Sequence, residues 1–130
     1  MILQTTLCLA AAAAVLNIWL GMRIGALRHS LKVSIGDGGQ EPLIRRMRAQ
    51  ANFIENVPLT LLLFALVELA GKGGVWLAPL GAVFLLGRVA HAFGMDSDSF
   101  RAGRGGGVLI SMLTQLGLVV VAVLIAIGKV

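Results

Sequence analysis

The sequence contains no tyrosine, a single cysteine and few charged residues. Because Cys8 is the only thiol, no intramolecular disulfide can form, and without tyrosine no phenolic hydroxyl can take part in the chemistry. Charged residues make up 13 % of the chain and hydrophobic residues 58 %, a balance far from that of a soluble domain. These proportions predict a membrane protein.

Four apolar segments divide the chain. Two of them carry no charge, from Ile2 to Met22 (21 residues) and from Gly105 to Gly128 (24 residues), and each is long enough to cross a hydrocarbon core of about 30 Å as a helix. Two further runs cover residues 53–69 and 73–93, the second with Arg88 inside it. The sequence therefore predicts an all-α integral membrane protein, a four-transmembrane-helix bundle without a soluble domain. One domain is predicted over residues 1–130, with helices at about 2–28, 42–71, 74–95 and 105–128.

A cleaved signal peptide is the alternative interpretation of the first segment, because its apolar run is rich in small residues. However, no Lys or Arg precedes the run, and it continues past the usual length of a signal-peptide core. We therefore expect this segment to remain as the first membrane helix.

Positive charge is concentrated on one side of the predicted bundle. Nine of the eleven Lys and Arg residues fall near the connections between helices 1 and 2 and between helices 3 and 4, which leaves Lys72 and Lys129 for the other side. The positive-inside rule places both connections in the cytoplasm and both termini outside it. Topology thus explains the net charge of +5, so no nucleic-acid partner is needed, and the basic connections can touch anionic lipid heads. Glu68, near the outer end of helix 2, is expected to be solvated.

A polar stripe precedes the apolar part of helix 2, within the stretch RMRAQANFIENVP. Its members Arg45, Arg48, Asn52 and Glu55 are spaced by three, four and three residues, which places them on one face of a helix. A charged group deep in a bilayer costs on the order of 3 kcal/mol or more. We therefore expect this face to point into the bundle or into a water-filled cavity.

Arg88 and His91 form a second polar pair, three residues apart on one face near the cytoplasmic end of helix 3. We predict a structural ion pair between Arg88 and Glu55 across helices 2 and 3. A plain packing role remains the alternative for His91. Neither His29 nor His91 has Cys or further His partners at metal-ligand spacing, so no metal site is predicted.

The same residues carry a resemblance to a known family. The run RAQANFIENVP, together with Arg88-x-x-His91 followed by Arg101 and Arg104, resembles the MAPEG family, the membrane-associated proteins in eicosanoid and glutathione metabolism. The resemblance extends to chain length, four crossings and the position of the polar connections. The helix 2 run is similar to that of leukotriene C synthase and the helix 3 spacing to that of microsomal prostaglandin E synthase, and the missing tyrosines indicate a bacterial-type member.

The resemblance implies a homotrimer in a bacterial inner membrane, which binds glutathione as co-substrate between subunits near the cytoplasmic face. It implies a transferase or peroxidase that activates the glutathione thiolate with an arginine and attacks a lipophilic small-molecule electrophile or hydroperoxide. Arg104 matches the catalytic arginine. The glutathione contacts would be Arg28, Arg48, Gln50, Asn52, Glu55 and His91. The chain departs from the family at Asn56 and near Met95, where relatives carry aromatic residues, which leaves the lipid substrate open.

The chemistry of these side chains suits glutathione. Arginine binds carboxylates bidentately, and Glu55 can accept from the ammonium group. A thiol with a pKa of about 8.5 is mostly protonated at neutral pH, although the thiolate is the nucleophile. A well-placed arginine can lower that pKa. A hydroxyl such as that of Ser111 or Thr114 is the alternative activator, and Arg101, beside the acidic loop at Asp98, is expected to be a solvated loop charge.

Other functions fit less well. A non-catalytic membrane lipid-binding or scaffold protein of the same fold is the main alternative, and the presence of Arg104 with the full helix 2 run favours the enzyme. A small four-helix drug exporter would need an acidic residue in the first helix, which is absent from Ile2 to Met22. The glycine-rich run at 103–107 lacks the Lys-Ser/Thr of a phosphate-binding loop.

Overall fold

A computed structural model of the protein describes residues 2–130, which form four long helices and, over that range, no β-strand. The helices are α1 (Gln4–Leu31), α2 (Glu41–Leu69), α3 (Leu77–Asp96) and α4 (Arg101–Ala126), and a short 3₁₀ turn, Asp98–Phe100, precedes α4. All four are long and apolar enough to cross a membrane. The predicted all-α, four-helix membrane architecture is therefore confirmed.

The connection between α1 and α2 is a sharp turn. α1 ends at Lys32, which adopts a left-handed conformation (φ 58°) and closes the last helical turn with its N–H group. Three glycines at positive φ then reverse the chain, namely Gly36, Gly38 and Gly39. α2 begins with Glu41 and Pro42 in its first turn, where an acid is favoured and a proline is tolerated.

The start of α4 differs from the prediction. We expected helix 4 to begin at about residue 105, but α4 begins at Arg101 and continues through the glycine-rich run. Glycine is a weak helix former, and here tertiary packing overrides that weakness. A side-chain carbon at Gly107 would lie 2.5 Å from the carbonyl oxygen of Gly87 in α3, so the two helices meet backbone to backbone. Arg101 and Arg104 consequently lie in the first turn of α4 rather than in a loop.

The helices are arranged with α2 and α3 at the centre. Both central helices contact all the others, whereas α1 and α4 make no contact with each other within residues 2–130. Aromatic and aliphatic side chains fill the space between the helices, with Phe64, Phe84, Leu77 and Leu118 fully buried. Most large apolar side chains of α4 remain exposed on the surface, as expected for a helix that faces lipid.

One end of the bundle carries the polar elements. Here α1 ends, α2 begins, α3 ends and α4 begins, and we call this the basic end. Ion pairs join its helices: Arg23 of α1 pairs with Asp96 of α3, and Arg46 of α2 lies 3.8 Å from the same carboxylate. Arg45 reaches Asp98 at 3.5 Å. These pairs fix the ends of α1, α2 and α3 relative to one another.

Candidate functional site

Arg88 joins three helices beneath the basic end. Its side chain, on α3, is buried with 3 % of its surface exposed. Nη1 donates a hydrogen bond to Asn52 Oδ1 on α2, and Nη2 donates to the carbonyl oxygen of Gly107 on α4 at 2.7 Å. A buried guanidinium is tolerated only where such acceptors compensate for lost hydration. Arg88 is therefore a structural junction of α2, α3 and α4.

The predicted ion pair between Glu55 and Arg88 is wrong. Glu55 is exposed and takes part in none of the ion pairs formed among residues 2–130. It lies two residues from both Phe53 and Val57, which are buried, and two residues turn a helix by about 200°. Glu55 therefore projects from the opposite side of α2 to the bundle, and Asn52 accepts from Arg88 in its place.

A cleft opens at the basic end between α2, α3 and α4. It has a volume of about 380 Å³, within the range of roughly 300–1,000 Å³ that is typical of small-molecule sites. It contains four of the predicted site residues: Arg48 and Asn52 from α2, His91 from α3 and Arg104 from α4. Met95, Gly105 and Val108 complete its wall. We call it the basic cleft.

Two arginines in the basic cleft have no partner within the described part of the chain. Each of the other six arginines forms an ion pair with a carboxylate or donates a hydrogen bond. Arg23, Arg45, Arg46 and Arg101 are in ion pairs, and Arg28 and Arg88 donate hydrogen bonds. Arg48 and Arg104 appear in neither kind of contact among residues 2–130, and both line the same cleft. Two guanidinium groups without a compensating acid beside one cavity have the chemistry to pair with an anion.

Arg101 lies outside the cleft and is exposed as expected, although it belongs to the first turn of α4 and not to a loop. Its side chain is 72 % exposed and lies 3.9 Å from a carboxylate oxygen of Asp98. Arg101 and Arg104 are three residues apart in the same helical turn, yet only Arg104 faces the cavity. The two residues form a natural matched pair for mutagenesis.

Hydroxyl groups are poorly placed to act in the cleft. Ser111 is buried and donates a hydrogen bond to the carbonyl oxygen of Gly107 at 3.1 Å. Thr114 is also buried, one helical turn further from the basic end. Neither residue lines the basic cleft, so the two hydroxyl groups that were the alternative to an arginine are not part of its wall.

Two predicted contacts, Arg28 and Gln50, lie on a different surface. Arg28 lines a second cavity of about 520 Å³ at the end of α1, and it donates to the carbonyl oxygen of Gly36 at 2.5 Å. Gln50 faces Gly21 of α1, since it lies two residues, about 200°, from Asn52 around α2. A single chain therefore does not bring Arg28 and Gln50 together with Asn52.

Some of the groups that build this part of the molecule could not be identified from the sequence. The carbonyl of Gly107 anchors Arg88, and a backbone acceptor cannot be identified from residue type. The role of Arg45 was also missed, because its spacing fits the polar stripe although its guanidinium turns to Asp98 and to the carbonyl oxygen of Met95. Among residues 2–130 no group of three or more His, Cys, Asp and Glu side chains could hold a metal ion.

Comparison with known proteins points to the same family as the polar stripe. A sequence model of the MAPEG family matches residues 6–124, which include all four helices over most of their length. The matched range also contains every residue that lines the basic cleft.

Two curated bacterial proteins are similar to the chain. Both are named inner membrane protein YecN, one from Escherichia coli strain K12 and one from Escherichia coli O6:H1. Each is 31 % identical over 98 residues, which cover 75 % of this chain and 74 % of the relative. Together with the four membrane-spanning helices, these relatives confirm the predicted location, a multi-pass protein of a bacterial inner membrane.

Proposed function

The chain belongs to the MAPEG family, and on that premise we propose that it binds glutathione in the basic cleft and uses Arg104 to hold the thiol as a thiolate. Membership itself makes it a membrane protein of the superfamily that acts in glutathione and eicosanoid metabolism. The proposed reaction is transfer of the thiolate to a lipophilic electrophile, or reduction of a lipophilic hydroperoxide to its alcohol and water, in which two glutathione thiols are oxidised to the disulfide.

The observation that carries this proposal is the pair of unpartnered arginines. Arg48 and Arg104 approach one cavity from α2 and α4, and no carboxylate of residues 2–130 neutralises either. Glutathione carries two carboxylates and a thiol. Its thiolate and one carboxylate can each pair with one of the two arginines, which leaves the second carboxylate for another contact. Charge-assisted hydrogen bonds of this kind are about twice as strong as neutral ones.

Arg104 is the better placed of the two to act on the thiol. It is partly buried in the first turn of α4, whereas Arg48 is exposed, and a guanidinium stabilises an adjacent thiolate more strongly where less water screens it. In the transfer reaction the thiol proton passes to water, and the sulfur forms a bond to the electrophilic carbon. The displaced group leaves with the bonding electron pair.

The apolar part of the cleft suits a substrate that arrives from the membrane. Val108 lies one helical turn beyond Arg104 along α4, and Met95 forms the wall on α3. Beyond Val108 the side chains of Leu109, Met112 and Leu113 are exposed, in a helix apolar enough to cross the bilayer. A lipophilic electrophile dissolved in the bilayer can thus reach the sulfur without crossing water.

A site shared between copies of the chain would unite the two groups of predicted contacts. Arg28 and Gln50 face away from the basic cleft, whereas the stripe of Arg48, Asn52 and Glu55 lines the cleft or remains exposed beside it. If one copy contributes Arg28 and Gln50 and its neighbour contributes the cleft, all six contacts meet one ligand. We accordingly propose the homotrimer that the family resemblance implies.

A binding titration followed by an activity assay tests the proposal. Purified protein in mild detergent should bind glutathione, measured by calorimetry, and should conjugate it to a chromogenic aryl halide or reduce an organic hydroperoxide. Binding without either reaction would favour the alternative, a non-catalytic lipid-binding protein of the same fold. Absence of glutathione binding would overturn the proposed function.

A further inference from the structure

The amide group of Asn52 is held in one orientation. Arg88 Nη1 donates a hydrogen bond to Asn52 Oδ1, and Arg88 is anchored in turn by its bond to the carbonyl oxygen of Gly107. A guanidinium has five N–H donors and no acceptor, so only the amide oxygen can face it. The NH₂ group of Asn52 must therefore point away from Arg88.

The basic cleft is a surface of hydrogen-bond donors. Asn52 lines the cleft, and its NH₂ group has no acceptor among residues 2–130. Arg48 and Arg104 add two guanidinium groups, and no acidic side chain of this chain lines the cavity. The exceptions are His91, whose neutral ring also offers an acceptor nitrogen, and the weakly accepting sulfur of Met95.

We propose that Arg88 is a positioning residue that acts through Asn52. Because Arg88 holds the amide oxygen of Asn52 toward itself, Asn52 presents only its NH₂ group to the cleft, so this wall accepts a carboxylate, a carbonyl or a thiolate and rejects an ammonium group. The ammonium group of a peptide thiol then lies elsewhere, and Glu55, one helical turn along the exposed stripe, is the acid that can receive it. The choice of glutathione as a probe rests on the proposed function, whereas the orientation of Asn52 does not.

Two substitutions at residue 88 compare a side chain that can only donate hydrogen bonds to Asn52 with one that can also accept them. A lysine ammonium group has only donors, so Arg88→Lys should keep the orientation of Asn52 and bind within about threefold of wild type. Glutamine can donate or accept, so Arg88→Gln leaves a hydrogen bond to Asn52 but frees the amide to turn its oxygen into the cleft. We expect Arg88→Gln to weaken binding about tenfold, the size of one lost hydrogen bond to a charged group.

A double-mutant cycle distinguishes positioning from a structural role. The affinity for glutathione, and in parallel for inorganic sulfate, is measured in wild type, Arg88→Gln, Asn52→Ala and the double variant. If Arg88 acts through Asn52, Arg88→Gln should weaken binding in the wild-type background and change it less than twofold in the Asn52→Ala background. Equal losses in both backgrounds would overturn the proposal, because they would mean that Arg88 only supports the fold.

The two probes separate this inference from the proposed function. Sulfate binding without glutathione binding would overturn the proposed function. The double-mutant cycle measured with sulfate would still decide the role of Arg88. A cleft that binds neither anion would overturn both. Should Arg88→Gln fail to fold, a crystal structure of wild type with sulfate gives the decision: a sulfate oxygen within hydrogen-bond distance of Asn52 Nδ2 supports the inference, and an empty Nδ2 contradicts it.

Discussion

Thr6 donates both its backbone N–H and its hydroxyl to the carboxylate of Glu68, at 2.7 and 2.5 Å. The backbone N–H of Thr5 donates to the other carboxylate oxygen at 3.1 Å. Thr5 and Thr6 lie in the first turn of α1, whose N–H groups have no partner within their own helix. A side chain near the end of α2 therefore caps α1. Glu68, expected to be solvated, is partly exposed and has this structural role as well.

Replacement of Glu68 should destabilise the bundle. Glu68→Ala leaves two N–H groups of α1 without acceptors, and loss of a helix cap costs about 1 to 2 kcal/mol. We expect a lower midpoint of thermal unfolding in detergent. Glu55→Ala is the matched control for stability, because Glu55 is an exposed acid in the same helix without an ion pair in the described chain. Equal midpoints for the two variants would contradict the capping role.

The close approach of α3 and α4 predicts opposite effects at adjacent glycines. A methyl group at Gly107 would lie 2.6 Å from Cβ of His91, whereas one at Gly106 would meet no atom within 4 Å. Gly107→Ala should separate the helices and lower stability by about 1 to 3 kcal/mol. Gly106→Ala should leave stability equal or raise it by up to about 1 kcal/mol, since alanine is the better helix former. Thermal unfolding of both variants checks this contrast, and a stable Gly107→Ala protein would show that the helices pack more loosely.

The charge distribution predicts the orientation in the membrane. Nine of the eleven Lys and Arg residues lie at or near the basic end, so that end should face the cytoplasm and both termini should lie on the other side. A reporter enzyme that is active only outside the cytoplasm should therefore be active when fused to Val130. Activity confined to a fusion in the connection at residues 33–40 would reverse the assignment.

Complementation tests whether the site is shared between copies. We expect Arg28→Ala and Arg104→Ala proteins to be inactive when each is made alone. If one copy supplies Arg28 and its neighbour supplies Arg104, mixed trimers contain some sites with both arginines intact. Co-expression should then restore part of the activity, and native mass spectrometry should show three chains. Only monomers, or no recovery on mixing, would argue for a site within one chain.

The lengths of the apolar runs and the spacing of polar residues predicted the helices, because both depend only on the local sequence. The lengths of the apolar runs predicted four crossings, and helical spacing placed Arg48 and Asn52 on one face of α2. Both features survive in the structure because hydrophobic length and helical period do not depend on tertiary contacts. The start of α4 could not be predicted in this way, since the packing of Gly107 against Gly87 overrides the low helix propensity of glycine.

Partners of charged residues were harder to predict than their positions. Spacing placed Arg88 and His91 on one face near the cytoplasmic end of helix 3, and Glu55 of helix 2 was the acid predicted to pair with Arg88. The rotation of α2 instead presents Asn52 to Arg88. The second acceptor is a backbone carbonyl, that of Gly107. Neither the rotation of one helix against another nor a backbone acceptor can be read from residue types.

The role of Arg104 is tested most directly by the ultraviolet absorbance of thiolate in the glutathione complex. Wild type should show this absorbance at neutral pH, because a partly buried guanidinium stabilises the thiolate over the thiol. Arg104→Ala should still bind glutathione through Arg48 and Asn52 but lose the thiolate absorbance and most of the conjugation activity. Arg101→Ala, which removes the same side chain three residues away, should retain both. Normal thiolate absorbance in Arg104→Ala would contradict the account and transfer the role to another group.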